Sequence, residues 1–233
     1  MKRRKLTIII PAFNEKNTLT ILLNKILKLK TSKQIILIDD KSTDGTRNII
    51  LNYKKKVQKI ILHQKNLGKG AAIRSARKFV KGSYVIIQDA DLEYDPSDYK
   101  HLLKEIKKKE VDVVYGSRVL KNKKYKNIQN FSHGIRIYGN IFLTKISNYI
   151  NKQRLTDAHT CYKMFKTHIF LSLDLREDGF SFCPEVNTKL SLKKIKIKEV
   201  PINYSGRTYD QGKKITAFDG IRALVALIKY RFF

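Results

Sequence analysis

Tryptophan is absent from the 233 residues, cysteine occurs twice, proline four times, and acids number 20 against 49 lysines and arginines. Each scarcity excludes something. Cys161 and Cys183 lie far apart, with no Cys-x-x-Cys pattern and no histidine at zinc spacing, so neither a disulfide framework nor a structural zinc is indicated and a reducing cytosol fits. No uninterrupted apolar run approaches the roughly 18 to 20 residues of a membrane-spanning helix. The basic start, Met1 to Lys5, is followed by apolar residues only from Leu6 to Ile10 before Pro11, too short for a signal peptide. The expectation is a soluble or peripheral chain in the cytoplasm. His63, His101, His133, His159 and His168 are isolated and read as structural or solvated. What is present is 42% hydrophobic content, enough for a full core in a chain of this length, which argues against disorder. The formal charge of +29 has two readings. It asks for an anionic partner such as nucleic acid, a membrane surface or phosphorylated small molecules, or its lysines coat solvated helix faces, as Lys104, Lys107, Lys108 and Lys109 do.

Strand and helix patterns alternate through the first half. Leu6 to Ile10, Ile35 to Ile38, Val57 to Leu62, Tyr84 to Ile87 and Val111 to Tyr115 are apolar runs of strand length, as in buried parallel sheets. Between them, Leu19, Leu22, Leu23, Ile26 and Leu27 fall on one helix face, and a polar turn, Ser42 to Thr46, opens a helix to about Tyr53. Ala72, Ile73, Ala76, Phe79 and Val80 form another face, and Asp95 with Pro96 starts a fourth helix through Ile106. The pattern predicts an open, mostly parallel sheet covered on both faces, with the loops after the strands along one edge. The second half is less regular: a helix over Gly139 to Ile150, a loop from Asp157 into a strand ending at Phe165, a helix over Pro184 to Leu192, and an edge strand over Ile195 to Val200. Phe218 to Phe233 is an apolar helix with basic residues spaced through it, either packed on the domain or lying in a membrane interface.

Glu15, Asp39, Asp40, Asp89 and Asp91 all fall at strand ends, in a chain poor in acids. That edge is where α/β proteins bind ligands. Two carboxylates spaced by one small residue, Asp89-Ala90-Asp91, are too costly to bury unpaired. A divalent cation with an anion on its far side is the simplest occupant; a solvated surface pair is the other reading. Gly68-Lys69-Gly70 lacks the third glycine of a dinucleotide fingerprint, which is Ile73 here, and lacks the Gly-Lys-Ser/Thr of a Walker loop. It is either a glycine turn approaching a sugar or phosphate at a helix N-terminus or a structural turn.

Taken in order, Pro11-Ala12-Phe13-Asn14-Glu15, Asp39-Asp40-x-Ser42-Thr43-Asp44-Gly45-Thr46, Asn66-Leu67-Gly68-Lys69-Gly70, Gln88-Asp89-Ala90-Asp91 and Gly116-Ser117-Arg118 resemble a family 2 glycosyltransferase. The resemblance is nearest the dolichyl- or polyprenyl-phosphate mannosyl- and glucosyltransferases. It extends through Thr156-Asp157-x-x-Thr160-Cys161-Tyr162-Lys163 and from Arg207 to Gly220. It implies the GT-A fold, a Rossmann-like α/β sheet flanked by helices, as one domain. Residues 1–118 would form the nucleotide-sugar half, 119–215 the acceptor half, and 216–233 an amphipathic helix. Pro11, Ala12, Phe13, Glu15, Asp39, Asp40, Lys69, Gln88, Asp89, Ala90 and Asp91 would bind the donor, with Asp39 supporting that loop. Asp89 and Asp91, helped by Glu93, would hold Mg²⁺ or Mn²⁺. Arg118, Arg136, Arg207 and Lys213 would face donor and acceptor phosphates, with Arg207 and Lys213 stabilising the leaving diphosphate beside Asp89 and Asp91. Cys161 departs from the pattern, since glycine often stands there.

The implied activity is inverting transfer of a hexose from a GDP- or UDP-sugar to a polyprenyl or dolichyl phosphate, near an anionic membrane surface and with a membrane partner protein as a further means of capture. A sugar hydroxyl of a growing glycan is the alternative acceptor. That acceptor needs a carboxylate base, for which Asp157 and Glu185 are candidates. Binding of nucleic acid through the charge and the interleaved Tyr125, Phe131 and Tyr138 is the reading from another class. Acids at the ligand edge argue against it.

Overall fold

A computed structural model describes residues 6–120, 131–207 and 217–233. The first strands are β1 (Leu6–Ala12), β2 (Lys33–Asp39), β3 (Lys59–Leu62), β4 (Tyr84–Ile87) and β5 (Val113–Ser117), interleaved with helices α1 (Leu19–Lys28), α2 (Thr46–Asn52), α3 (Lys69–Ala76) and α4 (Tyr99–Ile106). A 3₁₀ turn, Pro96–Asp98, precedes α4, with the Asp95 carboxylate accepting from the Ser97 amide at 2.8 Å. Then follow α5 (Phe131–Asn151), β6 (Lys163–Lys166), α6 (Thr167–Ser172), α7 (Phe182–Leu192), β7 (Ile197–Pro201) and α8 (Ala217–Phe232).

Alternate residues of each strand enter opposite cores, as the pleat requires. Ile8, Ile10, Ile35, Leu37 and Ile86 pack with Leu22, Leu23 and Ile26 of α1 and Leu102 and Ile106 of α4. Ile9, Ile36, Ile38, Val85 and Ile87 pack on the other face with Ile73 and Ala76 of α3, Phe170 of α6 and Val186 of α7. The sheet is thus covered on both faces.

Among the described residues the strand order is β3-β2-β1-β4-β6-β5-β7. Strand β6 lies between β4 and β5, antiparallel to both. A four-residue strand reading Lys-Met-Phe-Lys carries too little periodicity to announce this place. The other strands run parallel, so their C-terminal ends share one edge. Because β6 runs the other way, its beginning lies there, and the loop from Thr156 to Tyr162 joins the ligand edge. The α5 helix begins at Phe131 rather than Gly139. No helix among the described residues is long and apolar enough to cross a membrane.

Candidate active site

Three loops at this edge turn through left-handed backbone just past their strands: Asn14 (φ 52°), Lys41 (φ 64°) and Leu92 (φ 63°). For non-glycine residues this region is uncommon. At Leu92 the turn falls between Asp91 and Glu93, whose amide donates to Asp91 Oδ1 at 3.0 Å. Both acids thereby face the same guanidinium.

That guanidinium is Arg207. Its Nη1 and Nη2 form a fork to Glu15 Oε2 and Oε1 at 3.0 and 3.1 Å, and Nη2 also lies 3.2 Å from Asp91 Oδ2. Its Nε is 4.0 Å from Glu93 Oε1, which accepts the Arg207 amide at 2.8 Å. Tyr204 donates to the other Glu93 oxygen at 2.8 Å, and Thr18 donates to Glu15 Oε2 at 2.8 Å. One cation therefore serves three carboxylates. Burial, then the neighbouring Asp89 and Glu93, push the Asp91 carboxyl up to about 7 against the opposing pull of Arg207.

Asp89 sits in the opposite electrostatic setting. Lys69 Nζ lies 2.5 Å from its Oδ1 and 2.9 Å from Cys161 Sγ. Burial raises the Asp89 carboxyl, but Lys69 and the Cys161 thiol more than offset it, so it stays below the ordinary value. Burial and the adjacent Asp89 push the Cys161 thiol up, keeping it a thiol rather than a thiolate. The departure at Cys161 therefore falls on a residue touching both members of this pair.

The Gly68-Lys69-Gly70 turn takes its structural reading. Gly68 has φ +92°, and side chains at Gly68 and Gly70 would strike the Asp178 and Glu177 carbonyls. The first turn of α3 also gives its Ala71 amide to Asp178 O at 3.1 Å. Backbone of the Glu177–Asp178 loop packs against this helix start. Asp40 holds the same turn: its oxygens accept the Leu67 and Gly68 amides at 2.9 and 2.7 Å and lie 2.7 Å from His63 Nδ1. Asp39 accepts from Arg47 Nε at 2.5 Å and from the Ser42 amide at 3.2 Å, bracing the loop after β2.

Several expected site residues stand elsewhere. Gln88 is fully buried behind the acids, its Oε1 accepting from Tyr99 and Tyr162, each at 2.6 Å; the alternation of β4 turns it inward, away from a donor. Ala12 and Ala90 are buried as well, while Pro11 and Phe13 are half-buried at the end of β1. Arg118 forks onto Asp157 through Nε and Nη2, both at 2.7 Å, and its amide and Asn140 Nδ2 bond the same carboxylate. Burial opposes the charge on Asp157, yet Arg118 holds its carboxyl low. Asp157 is thus fully buried, with both oxygens bonded within the protein. Glu185 is likewise buried and accepts the Arg176 and Glu177 amides at 2.6 and 3.0 Å and Lys189 Nζ at 2.6 Å. It shapes a loop. Arg136 belongs to α5 with its side chain outside the described set, and Lys213 lies outside the described residues. Sequence reasoning missed Thr18, His63 and Tyr204 as supports, and nothing in their local pattern marks them.

No cage of three or more Asp, Glu, His or Cys side chains converges among the described residues. The donor set is nevertheless one for a hard cation. Asp91 and Asp89 offer carboxylate oxygens, as Mg²⁺ and Mn²⁺ prefer, and a cation of this class takes one or two carboxylates with the remaining ligands from substrate phosphates and water. Burial first, and then the neighbouring Asp89 and Glu93, keep the Asp91 carboxyl raised.

Comparison with known proteins decides the family. Residues 7–173 match the profile of glycosyl transferase family 2. The chain belongs to that family. Relatives of this glycosyltransferase include an uncharacterised Methanocaldococcus jannaschii protein, 26% identical, with alignment over 100% of this chain and 95% of that one. A Trichomonas vaginalis dolichyl-phosphate beta-glucosyltransferase is 26% identical over 98% of this chain and 73% of its own. In structure, the glycosyltransferase resembles Mycobacterium tuberculosis glucosyl-3-phosphoglycerate synthase, solved with Mg²⁺ and UDP, at a TM-score of 0.71 and 15% identity, over 98% of this chain and 79% of that one. The fold is that of GT-A glycosyltransferases.

A last feature of the surface concerns α5 and α8, which pack together. Phe218, Ile221, Val225, Ile228 and Phe232 of α8 are between 49% and 72% exposed, and Tyr138, Phe142 and Tyr149 of α5 are also exposed. At about 100° per residue the five side chains of α8 fall within an arc of about 80°. This is one continuous apolar stripe on a helix carrying Arg222, Lys229 and Arg231.

Proposed function

We propose that this glycosyltransferase moves a hexose from a nucleotide diphosphate sugar to a polyprenyl phosphate at an anionic membrane surface, with Mg²⁺ or Mn²⁺ at Asp91 and Asp89. The observation that carries the donor half is the cluster of Glu15, Asp89, Asp91 and Glu93 with Arg207 and Lys69 at the ends of the strands. Carboxylates gathered this densely repel a diphosphate unless a divalent cation intervenes. When bound, that cation supplies charge neutralisation at the phosphoryl oxygens of the leaving diphosphate. Arg207 then holds Asp91 and Glu15 in one geometry and presents its remaining positive field to the same phosphates. Lys69 fixes Asp89 as a carboxylate. The half-buried Pro11 and Phe13 give the donor's base an apolar wall beside them.

Transfer proceeds by attack of an acceptor phosphate oxygen on the anomeric carbon. The new phosphate-to-carbon bond forms with that oxygen's electron pair as the bond to the diphosphate breaks, and the diphosphate leaves with the old pair. The second ionisation of a phosphate monoester lies near pH 6, so this nucleophile needs no general base. The arrangement suits it, because Asp157 and Glu185 are both buried in bonds to the protein. The apolar stripe of α8, adjoining α5 and flanked by basic residues, supports lipid as the acceptor's carrier, since such faces lie in membrane interfaces. The dolichyl-phosphate relative supports the same acceptor class.

The test incubates the protein with GDP- and UDP-sugars and polyprenyl phosphate, with and without chelator, and identifies the product by mass. A hexosyl phosphoprenol formed only without chelator is expected. Transfer to a sugar hydroxyl with none to polyprenyl phosphate would overturn the acceptor assignment.

A further inference from the structure

A cleft of about 670 Å³ opens between Lys69 and α8, and nothing above assigns it. Its inner wall is Gly68 and Lys69, its near side the loop Arg176 to Ser181, and its far side Asp219, Arg222 and Lys229 of α8. Lys69 is the same residue whose ammonium touches Asp89. The cleft is therefore bounded by a residue that touches Asp89 and by the helix bearing the apolar stripe.

The helix geometry joins the two. At about 100° per residue, Asp219, Arg222 and Lys229 occupy a sector whose centre lies about 100° from that of the exposed stripe, with the buried Ala226 inside that sector and the buried Ala223 and Leu227 beyond it. Around α8 the order is apolar and exposed, then basic at the cleft mouth, then buried. A lipid whose chain lies along the stripe brings its headgroup to Arg222 and Lys229 with no further turn.

The charges of the lining suit an anion more than their count suggests. Its three acids are all paired: Glu177 accepts from Lys229 Nζ at 3.1 Å and from Tyr230 at 2.8 Å, Asp178 pairs with Arg74 of α3, and Asp219 pairs with Arg222. Arg222 is 3.8 Å from Asp219, with its side chain 76% exposed, so its planar donors reach the opening. Arg118, expected to meet the acceptor phosphate, has its fork on Asp157. The cations of this cleft stand where Arg118 does not.

The geometry points to this cleft as the entry and seat of the acceptor's phosphate monoester, with Arg222 and Lys229 at its mouth, Phe180 and Ser181 along its wall, and Lys69 at its inner end. The inference rests on the polyprenyl phosphate reading above and names the route by which that substrate reaches the donor. It also separates two jobs on one helix: the stripe holds the bilayer, and the adjacent basic edge selects the headgroup.

The test measures steady-state kinetics of the full chain with Arg222→Glu, Lys229→Gln and Ile221→Asn. Each is assayed on a short, water-soluble prenyl phosphate and on a long polyprenyl phosphate in anionic vesicles, with melting temperature as the check on folding. Arg222→Glu and Lys229→Gln are expected to raise KM for both acceptors by about tenfold, equivalent to 1.4 kcal/mol, while KM for the nucleotide sugar stays unchanged. Ile221→Asn is expected to raise KM only for the vesicle-borne acceptor. Unchanged KM for the soluble acceptor in Arg222→Glu and Lys229→Gln, with only vesicle binding weakened, would overturn the cleft assignment and leave the polyprenyl phosphate reading standing. Wild-type turnover of a phosphorylated small acid such as phosphoglycerate, with none of either prenyl phosphate, would overturn both.

Discussion

Two arginine–carboxylate clusters stand on one edge of the sheet, Arg118 with Asp157 and Arg207 with Glu15, Asp91 and Glu93. In the first, one guanidinium forks onto one carboxylate, and an amide and Asn140 take up what is left. Charge and hydrogen bonds balance, and the pair joins the end of β5 to the approach to β6. In the second, one guanidinium is shared among three carboxylates, and Asp91 rises to about 7. The first cluster is proposed as architecture and the second as the cation site. The difference lies in stoichiometry, since both clusters are buried and both use arginine.

The comparison breaks first at Asp91. Asp91→Asn removes the carboxylate nearest the proposed cation and is expected to lower turnover by about 10³-fold, some 4 kcal/mol of barrier, with the melting temperature held or raised. Initial rates at saturating metal check it. Asp157→Ala leaves the Arg118 guanidinium buried without its partner and is expected to cost about 3 kcal/mol of stability, read from urea unfolding. If the Asp157 cluster is architecture, the folded fraction of that variant keeps its affinity for the cation. The same two substitutions, read by both assays, should give opposite rankings.

A smaller effect concerns pH. A cation needs Asp91 ionised, and in its absence the folded-state carboxyl sits at about 7, above its ordinary value of 3.8. Metal affinity should therefore be level above pH 7 and weaken by roughly tenfold per unit below it, as one proton is displaced per cation bound. The stability sign is the reverse: between the two values the folded chain holds a proton that the unfolded one has lost, so the metal-free protein loses stability from this group as pH rises towards 7. Calorimetric titrations and melts across pH 5 to 8 check both. Smallest of all, Tyr162→Phe deletes one of two hydroxyl donors to Gln88 Oε1 and is expected to cost about 1 kcal/mol of stability, with kcat nearly unchanged.

The contrast also explains what the sequence could tell. Apolar runs ending in acids mark β1, β2 and β4 and place Glu15, Asp39, Asp40, Asp89 and Asp91 on one edge, because interior parallel strands leave a continuous hydrophobic trace. A strand ending at Phe165 was legible, but its place between β4 and β5 was hidden, since four residues with lysine at both ends carry no trace of their neighbours in the sheet. Asp157 and Glu185 read as candidate bases because an acid in a sequence shows no partner: Arg118 is 39 residues from Asp157, and Arg207 is 192 residues from Glu15. Gln88 reads as a ligand because it adjoins Asp89, and only strand alternation with the tyrosines of α4 and β6's approach shows that it faces inward. Motif residues were legible; their electrostatic balance was not.

The central claim, that the Asp91 cluster is a cation site and the Asp157 cluster is not, is tested most directly by Mn²⁺ binding in the presence of nucleoside diphosphate, followed by paramagnetic resonance. The wild-type chain is expected to bind one Mn²⁺ at pH 8, and Asp91→Asn to bind it at least about 100-fold more weakly while remaining folded. Equal Mn²⁺ affinity in the wild-type chain and in Asp91→Asn would contradict the account.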